Sequence, residues 1–341
     1  MSRRPFRTRL LIPLAVLSLV GACSAEDGDE PSAAGDGDGV FPVTVEHAFG
    51  GTTVPERPQR VVTVGYTEQD TVLALGVVPV GVTEWYGDQP SAVWPWAQDE
   101  LGDAEPTVLS ADDGINVEAV AALEPDLIIG TNAGLDEETY EALSGIAPTI
   151  AHSGEQDAYF EPWDVQAELI GTALGRREEA LALIDEVKGQ FADAAAAHPE
   201  FAGTTAVFLQ NAVYDGSFIA YQDGLSTDFL TDLGFVVPSS IEQFAADGQA
   251  YIPLEQAGVL NDAEVLVWGT ETPEDRPALE EQAVYRTLAA VQAGRLAFTD
   301  EVLAGAIYFT SPLSLPYVLD ELVPRLEAAV AGDPATLPAA G

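Results

Sequence analysis

Residues 60–83 read RVVTVGYTEQDTVLALGVVPVGVT. The stretch opens on a β-rich run, Arg60–Gly65. It passes through a segment of helical character, Glu68–Leu75, that stops at Gly76, and closes on a second apolar run, Val78–Thr83. Neither apolar run alternates with polar residues, so both faces of each strand are expected to be covered. A buried strand, a helix and a second buried strand predict a parallel βαβ unit.

The pattern extends in both directions. Upstream, Thr44–Ala48 and Thr52–Val54 flank Gly50-Gly51 and suggest a hairpin. Downstream, Val117–Leu123 is a short helix before Pro125, Asp126–Thr131 (DLIIGT) is a third strand, Asp136–Ser144 is a helix, and Pro148–Ala151 leads a fourth strand. The rhythm then changes. A helical region runs from Pro162 to His198, broken at Gly175, and in its second half Ala180, Ile184, Val187 and Phe191 share one face. Arg176–Ala197 would be about 33 Å long at about 1.5 Å per residue.

Beyond Pro199 the alternation resumes. Thr205–Gln210 and Ser217–Tyr221 are strands, Ser226–Leu233 is a helix, and Glu264–Gly269 (EVLVWG) is a strand. Pro277–Val291 is mainly helical, Arg295–Thr299 is a strand, and Pro316–Ala331 is the last helix. The expected fold is therefore α/β. Two lobes, each with a central mostly parallel sheet, are joined by a single long rigid α-helix. The lobes are placed at 41–161 and 199–332, the helical connection at 162–198 and a tail at 333–341.

The N-terminus says where the chain is expected to reside. Arg3, Arg4, Arg7 and Arg9 precede an apolar run, Leu10–Ala22, that ends in Leu19-Val20-Gly21-Ala22-Cys23. An apolar segment of thirteen residues is too short to span a bilayer, which takes about twenty, and suits a signal-peptide core. Two small residues before a cysteine form a lipoprotein cleavage site. Residues 1–22 are thus expected to be removed and Cys23, the only cysteine in the chain, to be lipidated. A multiply acylated cysteine would hold the protein stably on the outer face of a cell membrane. Arg3-Arg4 fits either general or twin-arginine export. Residues 23–40, rich in Gly, Asp, Glu, Ser and Ala, read as a flexible tether.

The chain carries 13 Lys and Arg against 56 Asp and Glu, a net charge of −43. The leader holds four of the basic residues and none of the acidic ones, so the remainder is more acidic still. Nucleic-acid binding needs Lys and Arg to displace counterions and is excluded as a function class. Catalytic and metal chemistry also lack support. His47, His152 and His198 are far apart in sequence with no neighbouring ligand residues, no Gly-x-Ser-x-Gly elbow is present, and no glycine-rich phosphate loop follows a strand. The expectation is no enzyme, no cofactor and no direct metal ligation.

What the chain does carry is aromatic. Ligands in open parallel sheets bind beyond the carboxyl ends of the strands. Tyr66 follows the first strand; Trp85 and Tyr86 follow the second, with Trp94 and Trp96 in the same loop; Asn132 follows the third. Across the long helix, Asn211 and Tyr214 follow one strand and Tyr221 another. Trp268 ends EVLVWG, and Tyr308 falls in the Ala306–Pro312 loop. Of five tryptophans only Trp163 lies elsewhere. Such rings could instead pad the core or the seam between lobes. As a set at strand ends they predict an aromatic cleft for a bulky, partly apolar ligand. Arg276 is the one cation near the candidate cleft, since Arg57 and Arg60 precede the first strand. Polyanions are bound by several Arg or Lys, so a neutral or cationic ligand is expected, with aromatic faces attracting a cation.

Several segments together resemble the substrate-binding lipoproteins of ABC importers for ferric siderophores, a family that also includes vitamin B12 and haem binding proteins. They are RPQRVVTVGYTEQDTVLALGVVPVGVTEWYG (57–87), NVEAVAALEPDLIIGTN (116–132), GRREEALALIDEV (175–187), LAAVQAGRLAFTD (288–300) and SPLSLPYVLDEL (311–322). The resemblance covers nearly all of residues 41–331. It implies a ferric siderophore as ligand, held between two lobes that a stiff helix lets move only slightly, and a monomer that delivers it to an ABC permease with its ATPase. It also implies permease docking by one acidic residue per lobe, which fall at Glu118 and Asp228. Asp228 departs from the more usual Glu and reaches less far; both also stand at helix starts, where a carboxylate favours the helix dipole. A cobalamin or haem binder of the same fold, with Tyr66, Tyr86, Tyr214 or Tyr308 as a haem ligand, and a surface enzyme or ligand sensor are the alternatives.

Overall fold

A computed structural model describes residues 39–332 apart from 112–113, 156–157, 160, 225 and 247–248, with backbone alone at Asn211 and Ala212. The expectations for the leader, for Cys23, for the tether up to residue 38 and for the tail lie outside the described residues.

The expected hairpin forms from β1 (Val43–His47) and β2 (Gly50–Val54), paired antiparallel. The first sheet holds β3 (Val61–Thr63), β4 (Gly81–Thr83), β5 (Thr107–Leu109), β6 (Leu127–Gly130) and β7 (Thr149–Ala151), all parallel, in the order β5-β4-β3-β6-β7. Four of these strands are the predicted ones. The fifth, β5, escapes sequence reading because Thr107 and Val108 are exposed at the sheet edge, so no apolar run marks it. Helices α1 (Glu68–Ala74), α2 (Gln98–Leu101), α3 (Val117–Ala122) and α4 (Glu137–Ser144) connect the strands. Asn116 and Asp136 cap α3 and α4 by accepting from the N–H groups of Ala119 and Thr139.

The helical connection is α5 (Trp163–Ala173) followed by α6 (Arg177–Ala197). The 21 residues of α6 span about 31 Å. Its buried positions are the predicted Ala180, Ile184, Val187 and Phe191. Ala180 belongs to the core beneath the first sheet, with Val61, Ile129 and Ile170. Val187 and Phe191 belong to a core of the second lobe, with Phe208, Val267 and Leu322. One unbroken helix is therefore packed into both lobes, which limits how far they can swing apart.

The second sheet contains β8 (Ala206–Tyr214), β9 (Ser217–Tyr221), β10 (Ala245–Ala246), β11 (Gln249–Pro253), β12 (Val265–Gly269) and β13 (Leu296–Phe298), ordered β10-β11-β9-β8-β12-β13. It is mixed: β8, β12 and β13 run parallel, whereas β8-β9, β9-β11 and β11-β10 pair antiparallel. Helices α7 (Asp228–Thr231), α8 (Asp275–Glu281), α9 (Ala289–Gln292), α10 (Glu301–Tyr308) and α11 (Ser314–Ala331) complete the lobe. Sequence reading placed Tyr308 in a loop; the structure puts it on the last turn of α10, whose entry is capped by Asp300 accepting from the Leu303 N–H. No helix among the described residues is long and apolar enough to cross a membrane.

Candidate functional site

At the carboxyl end of β3 the chain turns through Gly65-Tyr66-Thr67 into α1, and Glu68 holds this turn from beneath. Its Oε2 accepts from the Gly65 N–H at 2.9 Å, and its Oε1 accepts from the Asn132 N–H at 2.6 Å and the Thr131 hydroxyl at 3.3 Å. One carboxylate thus ties the loop after β3 to the loop after β6. The two loops then bond directly: the Tyr66 N–H donates to the Asn132 carbonyl at 3.2 Å, and Asn132 Nδ2 donates to the Tyr66 carbonyl at 3.3 Å. A Cβ at position 65 would lie 2.6 Å from the Asn132 carbonyl and from Glu68 Oε1, so only glycine fits. Burial pushes the Glu68 carboxyl up to about 7, against the opposing pull of the N–H groups it accepts from.

Asp70, two residues on, links the lobes. Its Oδ2 accepts from the Trp96 indole N–H at 2.7 Å and from the Ser311 hydroxyl at 2.6 Å. Ser311 lies between α10 and α11 of the second lobe. Burial raises the Asp70 carboxyl to about 6. Nearby, Gly305 of α10 lets the second lobe approach the rings of the first: a Cβ there would sit 2.7 Å from the Trp94 ring and 3.0 Å from the Tyr86 hydroxyl.

On this support the rings form a wall that crosses from lobe to lobe. Tyr159 stacks on Tyr66 at 6.1 Å between centroids, and Tyr66 lies 6.1 Å from Trp85 and 5.5 Å from Phe309. Trp85 meets Phe309 edge-on at 4.8 Å and Tyr86 at 4.3 Å. Tyr86 reaches Tyr308 at 6.5 Å, Tyr308 reaches Phe208 at 6.4 Å, and Phe208 stacks on Tyr221 at 5.1 Å. Burial raises the Tyr66 phenol. Burial pushes Tyr221 up to about 12, and burial together with the charge of Glu271 raises Tyr86 and Tyr308. Tyr308 donates to Glu271 Oε1 at 2.8 Å and to the Gly269 carbonyl at 3.2 Å.

Beside the wall lies a cavity of about 240 Å³. It is lined by Asn132, Tyr159, Tyr308 and Phe309, by Trp163, Asp164 and Lys188 of α5 and α6, and by Asp228 and Asp232 of the second lobe. Lys188 donates to Asp164 at 2.6 Å, and its ammonium lies 5.9 Å from the Trp163 ring centroid.

Of the sequence-predicted ligand residues, Tyr66, Trp85, Tyr86, Tyr221 and Tyr308 meet in the wall and Asn132 lines the cavity beside it. Trp268 does not join them. It is fully buried against Phe218 and Tyr285 on the opposite face of the second sheet. Side chains alternate along β12, so Val265 and Val267 face the core nearer α6 while Leu266 and Trp268 face away. Tyr214 is 66% exposed at the β8–β9 hairpin, outside the wall. Arg276 is also outside: it donates to Glu280 at 3.0 Å and covers the Phe298 ring at 4.7 Å. The Asn211 side chain lies outside the described residues. Glu118 is exposed in the first turn of α3, and Asp228 is half-buried at the start of α7.

Sequence reasoning missed Phe309, Trp163 and Lys188 because none follows a strand, and Tyr159 because it stands well beyond the end of β7, in the loop to α5. It also missed the supporting pair Glu68 and Asp70. The ExD spacing in the first turn of a helix between two buried strands is their only trace in the sequence. The histidines stay apart from the wall. His198 has Glu200 at 3.1 Å and Glu327 at 3.6 Å, but none of the three lines the cavity.

Residues 61–303 match the periplasmic binding protein family. A periplasmic solute binding protein from Mycobacterium smegmatis superposes with a TM-score of 0.80 at 47% identity, covering 87% of this chain and 100% of that one. PiaA, an iron uptake ABC transporter substrate-binding protein from Streptococcus pneumoniae solved in complex with ferrichrome, superposes at 0.72 with 28% identity over 85% of this chain and 99% of that one. The probable siderophore-binding lipoprotein YfiY of Bacillus subtilis is 26% identical over 92% of this chain and 95% of that protein.

Proposed function

The chain belongs to the periplasmic binding protein family, and from that membership we propose that it captures a ferric siderophore between its lobes and delivers it to an ABC permease driven by an ATPase. The ligand is a neutral or cationic chelate of the hydroxamate type. The observation that carries this reading is the ring wall itself: from Tyr159 to Tyr221 it runs across both lobes without a cation. Among the described residues lining the adjoining cavity, Lys188 is the only Lys or Arg, and Asp164 neutralises it. A chelate with three negative charges would enter without a counter-charge and lose its hydration; a neutral one loses little and gains ring contact.

In this reading residues 1–22 are a leader, Cys23 carries the lipid, residues 23–40 form the tether, and the monomer works on the extracytoplasmic face of the cell membrane. Glu118 and Asp228 contact basic residues of the permease. Replacing Glu118 with Lys should abolish uptake while leaving solution affinity intact.

The direct test follows tryptophan fluorescence while the protein is titrated with ferrichrome, a neutral tris-hydroxamate, and with a ferric tris-catecholate of charge −3. Saturable binding of the hydroxamate with clear preference over the catecholate is expected. Preference for the catecholate overturns the charge argument.

A further inference from the structure

The cavity beside the ring wall is acidic as well as aromatic. Asp228 and Asp232 both line it, with Asp164 on the facing helix. Trp163, Phe191, Phe229, Tyr308 and Phe309 supply the rings. Asp228 is half-buried and Asp232 is exposed. Burial raises both; neighbouring carboxylates add to it at Asp228, whereas at Asp232 the Lys188 ammonium opposes it ahead of the push from Asp164. Crowded carboxylates in a half-buried hollow are costly unless a cation joins them.

Two further observations say what kind of cation fits. Asn132 is almost fully buried on the cavity wall, yet its Oδ1 has no hydrogen-bond donor. A buried acceptor without a partner calls for an N–H or O–H from outside. The chain also fills part of the hollow with an ammonium of its own: Lys188 holds Asp164 at 2.6 Å and lies over Trp163. The hollow therefore already accepts an alkylammonium between a carboxylate and an indole. Lys188 also acts on Asp232, whereas only carboxylates act on Asp228.

We propose that this cavity is a subsite for a primary ammonium group carried by the ferric chelate, with Asp228 and Asp232 as its counter-charges and the surrounding rings as its walls. The proposal rests on the siderophore reading above and narrows it to chelates with a cationic arm. It also gives Asp228 a task inside the groove. A carboxylate and aromatic faces together favour a cation over its neutral analogue by roughly tenfold at a partly solvated site.

The test compares ferrioxamine B, which carries one free ammonium, with its N-acetyl derivative, which has the same chelate and no charge. The purified protein is titrated with each at low salt, and with pentylammonium chloride as the free amine. Ferrioxamine B should bind roughly tenfold more tightly than the acetylated form, and the gap should close as salt rises. The double variant D228N/D232N should shrink the ratio to within about twofold, and K188Q, which removes the resident cation, should widen it. Equal affinities for the two chelates in the unmodified protein overturn the proposal and leave the siderophore reading standing. So does an unchanged ratio in the double variant, provided its melting temperature is retained. Tight binding of pentylammonium alone overturns the assignment to a chelate arm. Failure of both chelates to bind removes the hydroxamate reading, and this inference with it.

Discussion

The two lobes contribute rings to the same groove but hold them by different means. In the first lobe, Glu68 and Asp70, both fully buried on α1, fix the Tyr66 turn and the Trp96 indole. In the second, the Glu271 carboxylate accepts from Tyr308, and neutral groups hold the Tyr221 end of the wall. The Tyr221 hydroxyl donates to Gln210 at 3.1 Å, Gln249 donates to the same oxygen at 3.2 Å, and the Tyr251 hydroxyl donates to Gln249 at 3.0 Å. This ladder lies on strands β8, β9 and β11 and is reachable by water. Buried charge gives a stiff, sensitive support, because neither its loss nor its titration can be made good by solvent. An amide ladder at the surface gives a tolerant one.

The sharpest way to break this contrast is Gly65→Ala. The new Cβ would overlap backbone and a buried carboxylate that cannot retreat. A loss of roughly 4 kcal/mol is expected, read as a lowered urea midpoint. Loss of less than about 1 kcal/mol would mean the first lobe is as yielding as the second.

Next in size is pH. Asp70 binds its proton at about 6 in the folded protein and near 3.8 when unfolded, and Glu68 at about 7 and near 4.5. The folded state therefore holds more protons than the unfolded state through this window. Stability from both groups is fully present below about pH 4 and falls as pH rises to about 7. Asp70 alone accounts for about 3 kcal/mol. Asp70→Asn keeps an acceptor for Trp96 and Ser311 and cannot ionise. Its melting temperature should fall less between pH 4.5 and 7.5 than that of the parent, and parallel profiles would assign the sensitivity elsewhere.

A smaller effect is expected where the lobes meet. Gly305→Val drives a side chain into Trp94 and Tyr86 and should wedge the lobes apart. Ferrichrome affinity should drop roughly tenfold, about 1.4 kcal/mol, with a red-shifted tryptophan emission. Unchanged emission would place the Trp94 contact outside the working arrangement. The mildest change is Gln210→Ala in the neutral ladder. About 1 kcal/mol of stability should go, by the same amount at pH 5 and pH 8; a loss that depends on pH would mean that the charge of Glu271, which acts on Tyr221, reaches the ladder.

Much of this was legible in the sequence. The β3-α1-β4 unit shows itself because both strands are buried on both faces. The α6 stripe of Ala180, Ile184, Val187 and Phe191 shows itself because it must serve two cores. Tyr66, Trp85 and Tyr86 were found because the ends of parallel strands are where such folds open. Trp268 was misplaced by the same rule: being last in a strand says how far along a residue sits, whereas strand parity says which face it takes. Strands β5, β10 and β11 were missed because they are short or half exposed, and α10 because its apolar residues run continuously through EVLAGAIY. Tyr159, Phe309 and Trp163 reach the groove from a loop, a helix exit and a helix entry, and only the tertiary arrangement joins them.

The claim beneath all of this is that ring contact across the lobes grips the chelate itself, with charge pairing confined to its ammonium arm. Trp85 sits at its centre, touching Tyr66, Tyr86, Trp94 and Phe309. The most direct measurement is the equilibrium affinity of Trp85→Ala for ferrichrome beside that of the parent protein, with melting temperatures in parallel. Removal of a central aromatic anchor should weaken binding by about thirtyfold or more in a protein that still melts cooperatively. A variant that binds as tightly as its parent would contradict the account.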